Sequence, residues 1–520
     1  MLPSPSSRAP WWWRHPTRPI GTARRPMSTA RCWPLPGGPP AGTMRRPTSM
    51  VESVTEVAIV GYGTVGATLA NLLGRAGVST VVHERSYDPY PMPRACHLDA
   101  EVMRIFQAAG LADEVSDVVE PSQGMEFVDA VGHQLFTYED FQRAPILGWE
   151  EDYVFQQPLL DAVVRAGVHR FPSVEVRLGS KVSDPDELDA RFVVACDGAS
   201  SDMRQASGIE LLDWGYDQAW LVVDLMVDGD PGLPSIIQQV CDPARPATYV
   251  PSAGGHHRWE FCLLDSEDPD EMSQPARVAE LLRPWIGEEV GELLRAVVYR
   301  FHAVVADRWR EGRVLLAGDA AHQMPPFMGQ GLCSGVRDAA NLAWKLATMV
   351  DGGAPEDLLD TYEVERRPHV ERCIELSVEA GRLVTDAAPS FPESDVNDDE
   401  RWSRLPPIRG GVLAGAHHGP RVGHQARQPT VETGGRRVRL DDLGGPWWYL
   451  VARGPVEPSP FVVVDASELG DPDGWLDRLL GNDWAVLIRP DRYIFGVART
   501  PDEVPTLVAE ALDRIALPGA

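Results

Sequence analysis

The feature that most constrains this chain is a glycine-rich turn held between a strand and a helix. Val57-Ala58-Ile59-Val60 is apolar and largely β-branched, and it is followed by Gly61-Tyr62-Gly63-Thr64-Val65-Gly66. From Val65 to Ala76 the apolar residues fall at helical spacing, closed by Gly77, and Val78 to His83 reads as a second strand ending at Glu84 and Arg85. Such a βαβ start commits the segment to a parallel sheet. Gly61 permits the tight turn, Gly63 lets a pyrophosphate approach the backbone, and Gly66 lets the helix pack on the strand. Thr64 and Val65 open the helix, whose free N–H groups and positive dipole end suit phosphates, while Glu84 is placed to accept hydrogen bonds from a ribose. The competing reading of the glycines alone is a turn with no ligand.

A second string, Ala317-Gly318-Asp319-Ala320-Ala321-His322, follows the apolar run Val314 to Ala317, and Pro325-Pro326 and Gly329-Gln330-Gly331-Leu332 follow at a helix start. Asp319 can hold a ribityl hydroxyl, or cap a helix. The amides from Gly329 to Leu332 can face the pyrimidine edge of a flavin and stabilise the negative charge that reduction places there. His322 reads as structural more readily than as catalytic.

Charge narrows the partners. The 520 residues carry a formal charge of −28, which disfavours nucleic acid and anionic lipid and favours small molecules. No run of apolar residues is long enough for a membrane helix. The seven cysteines have no CxxC spacing and are odd in number, which suits a reducing cytoplasm better than a disulfide framework or a metal site. Residues 1–53 stand apart. The first fifty hold eight arginines and no acid, and they are expected to be a disordered tail or the product of a start placed too early, with Met44 or Met50 as the true beginning.

Along the chain, Leu221 to Val227, Ser235 to Val240, Ala247 to Val250 and Arg258 to Leu264 are short β-type runs between Gly and Pro turns. The expected architecture is α/β. It comprises a discontinuous, Rossmann-like FAD-binding domain (54–213 and 300–386), an inserted and mostly antiparallel substrate sheet (214–299) and a linker (387–429). A small α/β domain (430–520) closes the chain.

Three strings in order carry a resemblance: the glycine turn at 61–66, Asp197-Gly198-Ala199-Ser200-Ser201-Asp202-Met203-Arg204 after a buried strand, and Gly318-Asp319. They span about residues 54 to 385 and resemble the class A flavoprotein aromatic hydroxylases. Pro93-Arg94-Ala95, Tyr249-Val250-Pro251, Arg258-Trp259-Glu260-Phe261 and the run Arg337 to Leu346 look like the 3-(3-hydroxyphenyl)propionate hydroxylase group. The tail from about 430 is similar to the thioredoxin-like domain of the phenol-hydroxylase branch. Lacking any cysteine beyond Cys373, it is expected to be structural or to sit at a subunit contact, as in a homodimer.

The resemblance implies bound FAD, a transient NADH or NADPH, and O₂ used through a flavin hydroperoxide to hydroxylate a phenolic substrate. It places Arg94 near the FAD pyrophosphate, with a solvated surface arginine as the rival. It gives Gln157 a cofactor contact, with a helix cap as the rival, and it sets Asp197 near the pyrophosphate with Arg204 bracing its turn. Cys333 replaces an asparagine of many relatives. The substrate is expected against the inserted sheet, at Gln238, Tyr249, Trp259 and Phe261. Period-two alternation leaves open which face looks at the flavin. His256, His257, His302 and Tyr249 are all open as general base. A hydroxylase of a polycyclic polyketide, and a flavin-loaded regulatory protein without turnover, are the alternatives.

Overall fold

The computed structural model describes residues 55–138, 145–227, 232–287, 291–386, 405–415, 419–456 and 458–516. The expectations for residues 1–53 and for most of the early linker lie outside them.

Among the described residues, a six-stranded sheet runs in the order Arg310–Glu311, Val314–Leu316, Ala190–Ala195, Thr55–Val60, Thr80–Glu84 and Val174–Leu178. Apart from the first pair it is parallel. Its central strands are apolar on both faces, as a sheet covered on both sides requires; Val57, Ile59, Val193, Val194 and Leu315 are fully buried. Helix Thr64–Ala76 packs beside helix Gln330–Val350. The register sets Val60 against Ala195 and Ala195 against Leu316. Three strands distant in sequence therefore end level, and the loops after them, 61–63, 196–201 and 317–321, emerge together at the carboxyl edge where ligands of such sheets bind.

The second large sheet is wider than its expected bounds. It is ordered His322–Gln323, Glu292–Ala306, Leu211–Met226, His256–Cys262, Ala247–Pro251, Ile237–Val240, Met125–Val128 and Gln134–Tyr138. Only the Ile237–Val240 and Met125–Val128 pair is parallel among its registered pairs. Strands from before residue 214 and after residue 299 thus complete it. Its outer face, with Leu221, Val223, Leu225, Tyr249, Trp259 and Phe261, is covered by helix Pro275–Ile286 through Val278 and Leu282. The sequence reading contained no such helix.

Residues 430–516 build a four-stranded sheet in the order Val462–Asp465, Tyr449–Ala452, Ala485–Ile488 and Ile494–Ala498, with helix Val504–Ala516 on one side. It does not keep its core to itself: Trp344 and Leu358 from the preceding helical region are buried in it. Arg104 donates from Nε to Asp441 at 2.6 Å, with both side chains buried. Arg489 donates to Glu365 at 2.6 Å, where Lys345 also bonds at 2.8 Å. No helix among the described residues is long and apolar enough to cross a membrane.

Candidate active site

The three converging loops, the start of helix Gln330–Val350 and one face of the eight-stranded sheet enclose a cavity of about 650 Å³. One end is the glycine turn. A Cβ on Gly61 would lie 2.2 Å from the Cys196 carbonyl oxygen, and one on Gly66 would lie 2.1 Å from the Gly61 oxygen; Gly61 also has φ +105°. A Cβ on Gly63 would meet nothing within 4 Å, and Gly63 lines the cavity. The first and third glycines are thus required by packing, and the second leaves a cradle open to a ligand. Thr64 donates to Asp161 from its hydroxyl, which fixes the first turn of the helix.

Segment 93–95 is clamped from both sides. Gln157 Oε1 accepts from the backbone N–H of Arg94 and of Ala95, each at 2.9 Å. Arg258 donates to the carbonyls of Pro93 and Arg94, and Arg295 donates to that of Pro93 at 2.6 Å. Both guanidinium groups are anchored by Asp224, which is fully buried. Burial alone would raise the pKa of Asp224, yet His256, Arg258 and Arg295 together hold it well below the ordinary carboxylate range. The Arg94 guanidinium lies over the Tyr90 ring at 5.4 Å, lines the cavity and makes no ion pair among the described residues.

At the other end, Gly329 caps helix Gln330–Val350 with φ +63°. A Cβ there would lie 2.4 Å from His97 Nδ1, whereas one on Gly331 would meet only Met324, at 3.9 Å. His97 faces two acceptors, the Gly329 carbonyl oxygen at 3.3 Å and Asp152 at 2.7 Å. Burial lowers the His97 pKa, but Asp152 outweighs it and the ring is held well above its ordinary value, as an imidazolium.

The FAD binding domain family model matches residues 54–377. A probable NADH-specific resorcinol 4-hydroxylase of Rhodococcus jostii (strain RHA1) is 34% identical over 89% of this chain and 96% of its own. The chain belongs to the flavoprotein aromatic hydroxylases. The hydroxylase is also 40% identical to the 3-(3-hydroxy-phenyl)propionate/3-hydroxycinnamic acid hydroxylase of Mycobacterium sp. (strain JLS), over 65% of this chain and 62% of that protein. It shares the fold of aklavinone-11 hydroxylase, solved as a ternary complex with FAD and aklavinone. The TM-score is 0.75 at 24% identity, covering 88% of this chain and 99% of that one.

Of the expected cofactor residues, Gly63, Thr64, Val65, Arg94, Gln157, Asp319, Pro326, Gly329, Gly331 and Leu332 line the hydroxylase cavity. Gly61, Gly66 and Gly318 shape it from behind; Gly318 N–H donates to Asp338, which also binds His322 at 2.7 Å. His322 is buried there, off the cavity wall, as a structural histidine. Cys333 is fully buried, with its sulfur 3.6 Å from the Gly329 carbonyl oxygen, and does not reach the cavity. Glu84 and Arg85 lie off the wall; Glu84 accepts from the N–H groups of Tyr62 at 2.9 Å and Ser86 at 2.8 Å. Asp197 is likewise turned to its own loop, accepting from Met203 N–H at 3.1 Å, while Arg204 ties that loop to the Ala320 carbonyl at 3.0 Å.

The expected substrate residues are corrected by the sheet register. Gln238, Tyr249, Trp259 and Phe261 do not line the cavity. Tyr249, Trp259 and Phe261 are buried in the outer core, and Gln238 bonds Glu126 at 2.7 Å. Because alternate residues of a strand point to opposite faces, the cavity sees their neighbours Ile237, Gln239, Thr248, Val250, Arg258 and Glu260. None of His256, His257, His302 and Tyr249 is on the wall either. The sequence reading also missed His97 and Asp152, and it missed Leu405, Pro406, Pro407, His424, Gln425 and Tyr493, which bring the linker and the last sheet to the cavity. Tyr493 donates to Glu101 at 3.0 Å, and Glu101 pairs with Arg337. Only the fold relates these positions.

Proposed function

We propose that this chain hydroxylates a small phenolic ring with NAD(P)H and O₂, on FAD held along the cavity. The observation that carries this reading is the continuity of one cavity from the Gly63 cradle to the open amides at Gly331, with a mixed polar and apolar sheet face as its floor. In this reading Gly63, Thr64 and Val65 receive the pyrophosphate and Arg94 balances its charge. Asp319, exposed on the wall, bonds the ribityl chain, and Gly329 to Leu332 address the pyrimidine edge. Glu84 would turn one lone pair to the adenosine ribose.

Bound FAD supplies acceptance of a hydride from the nicotinamide and activation of O₂. The chain does the rest. The Gly331 amides and the His97 imidazolium favour negative charge beside them. Met324, Phe327 and Leu376 exclude water from the ring, while Gln239 and Thr248 orient it. The domain bounds and the thioredoxin-like character of residues 430–520 are part of the same proposal, with that module serving as a structural buttress rather than a redox unit.

The test is steady-state NADH and NADPH oxidation by FAD-loaded protein across resorcinol, 3-(3-hydroxyphenyl)propionate and a polycyclic polyketide phenol, with products identified by mass. Conversion of a single-ring phenol with one oxygen gained is expected. Turnover of the polycyclic compound alone, or flavin without turnover of any phenol, defeats the reading.

A further inference from the structure

Glu260 is the cavity's unspent acid. It sits in strand His256–Cys262, opposite Val222 on one side and Thr248 on the other, with its side chain 9% exposed and on the cavity wall. No described residue donates a hydrogen bond to its carboxyl oxygens, which remain open to the cavity. Its nearest cation is Arg258, 3.9 Å away, and that guanidinium is already committed to Asp224 and to the Pro93 and Arg94 carbonyls. The other charged groups that face it are Asp224 on strand Leu211–Met226, which is paired with Arg258 and Arg295 and hydrogen-bonded to His256, and Arg295 on strand Glu292–Ala306. The Cys96 thiol lies near as well. On the other side, strands Ala247–Pro251 and Ile237–Val240 offer the uncharged Thr248 and Gln239, which bond each other at 2.6 Å. A carboxyl nine-tenths buried, with its lone pairs open only to a cavity, is built to receive a donor from a bound molecule.

We propose that Glu260 is the proton acceptor for the phenolic hydroxyl of the substrate; this rests on the hydroxylase reading above. The substrate O–H bond breaks and an O–H bond to a Glu260 carboxyl oxygen forms, with the electron pair left on the phenolic oxygen and no change of oxidation state. That pair enters the ring and makes the carbon ortho or para to it more nucleophilic toward the oxygen atom that the established reaction supplies. When the ring regains aromaticity, the hydrogen on the attacked carbon leaves as a proton. The ring oxygen then recovers its proton from Glu260, which is ready for another turnover. Burial raises the Glu260 pKa, which brings it closer to a phenol and makes it the better acceptor when ionised.

The experiment compares wild type, Glu260→Gln and Glu260→Asp, each loaded with FAD, on resorcinol and on ring-fluorinated resorcinols of falling hydroxyl pKa. Glu260→Gln should retain FAD but lose about a hundredfold or more in kcat for product, with KM changed far less. The loss should shrink steadily as the substrate hydroxyl becomes more acidic. The wild-type kcat/KM should fall as pH drops through the Glu260 pKa, and this acid limb should vanish in Glu260→Gln and return, shifted, in Glu260→Asp. A loss equal for all substrates, or an acid limb that survives in Glu260→Gln, overturns the proposal. If Glu260→Gln fails to hold FAD, Glu260→Asp decides: an unchanged acid limb overturns the proposal and a displaced one supports it. Failure of the wild type on every phenol would instead defeat the reading beneath it.

Discussion

Gln157 and Arg94, 63 positions apart, are joined by a 2.9 Å hydrogen bond from the Arg94 backbone N–H to the Gln157 side-chain oxygen. The same oxygen takes the Ala95 N–H, so this glutamine fixes the segment that presents a free guanidinium to the cavity rather than capping its own helix. Gln157→Leu leaves two backbone donors without partners, at about 1–3 kcal/mol each when buried. FAD affinity should fall by roughly five- to a hundredfold as the Arg94 segment loosens. Titration of the apoprotein with FAD by flavin fluorescence checks this.

Gly63→Val and Gly66→Val should fail in different ways. A side chain at Gly63 enters empty cavity, so the apoprotein should keep its melting temperature while FAD retention is lost. A side chain at Gly66 meets the Gly61 carbonyl oxygen at 2.1 Å, so the fold itself should suffer. Circular dichroism melting and flavin content separate the two outcomes; tightly bound FAD in Gly63→Val contradicts the cradle.

The sheet register reverses the expectation for Trp259. It is fully buried in the outer core beside Tyr249, and Trp259→Ala should cost about 3–5 kcal/mol of stability. The folded fraction should keep its ratio of product to NAD(P)H consumed. Thr248→Val, which removes the donor to Gln239 Oε1 on the cavity side, should lower that ratio and raise hydrogen peroxide without a comparable loss of stability. Equal coupling in Thr248→Val and wild type would move the substrate elsewhere.

The attachment of the last sheet should be acid-sensitive. Burial alone would raise the Asp441 pKa, but Arg104 and Arg492 hold it well below the ordinary carboxylate range. Its contribution to stability is therefore fully present above the unfolded value, about pH 3.9, and is lost as pH falls through the folded value. Asp441→Asn leaves Arg104 buried without its acid and should cost about 3–5 kcal/mol at neutral pH. Urea midpoints measured from pH 7 to 3 should fall more steeply for wild type than for Asp441→Asn.

The nucleotide turn was legible because its constraints are local. Gly61, Gly63 and Gly66 act within one turn and one helix face, and the hydrophobic run before them and the helical period after them occupy adjacent residues. Strands such as Ala247–Pro251 and helices such as Gln330–Val350 were legible within a few residues for the same reason. The Asp319 loop could be matched to the first turn only by resemblance, and the level ends of Val60, Ala195 and Leu316 give that match its physical reason.

By itself, then, the sequence determined the βαβ start, the three cofactor strings and the presence of β-type runs, each written in contiguous residues. The tertiary structure decided which face of those runs meets the cavity, because alternation defines two faces and only packing against helix Pro275–Ile286 buries Tyr249, Trp259 and Phe261 on one of them. It also decided that His97, Asp152, Glu260 and Tyr493 share a cavity with Gly63. Proximity across hundreds of residues arises from strand order and buried ion pairs such as Arg104 with Asp441, and no local period records it.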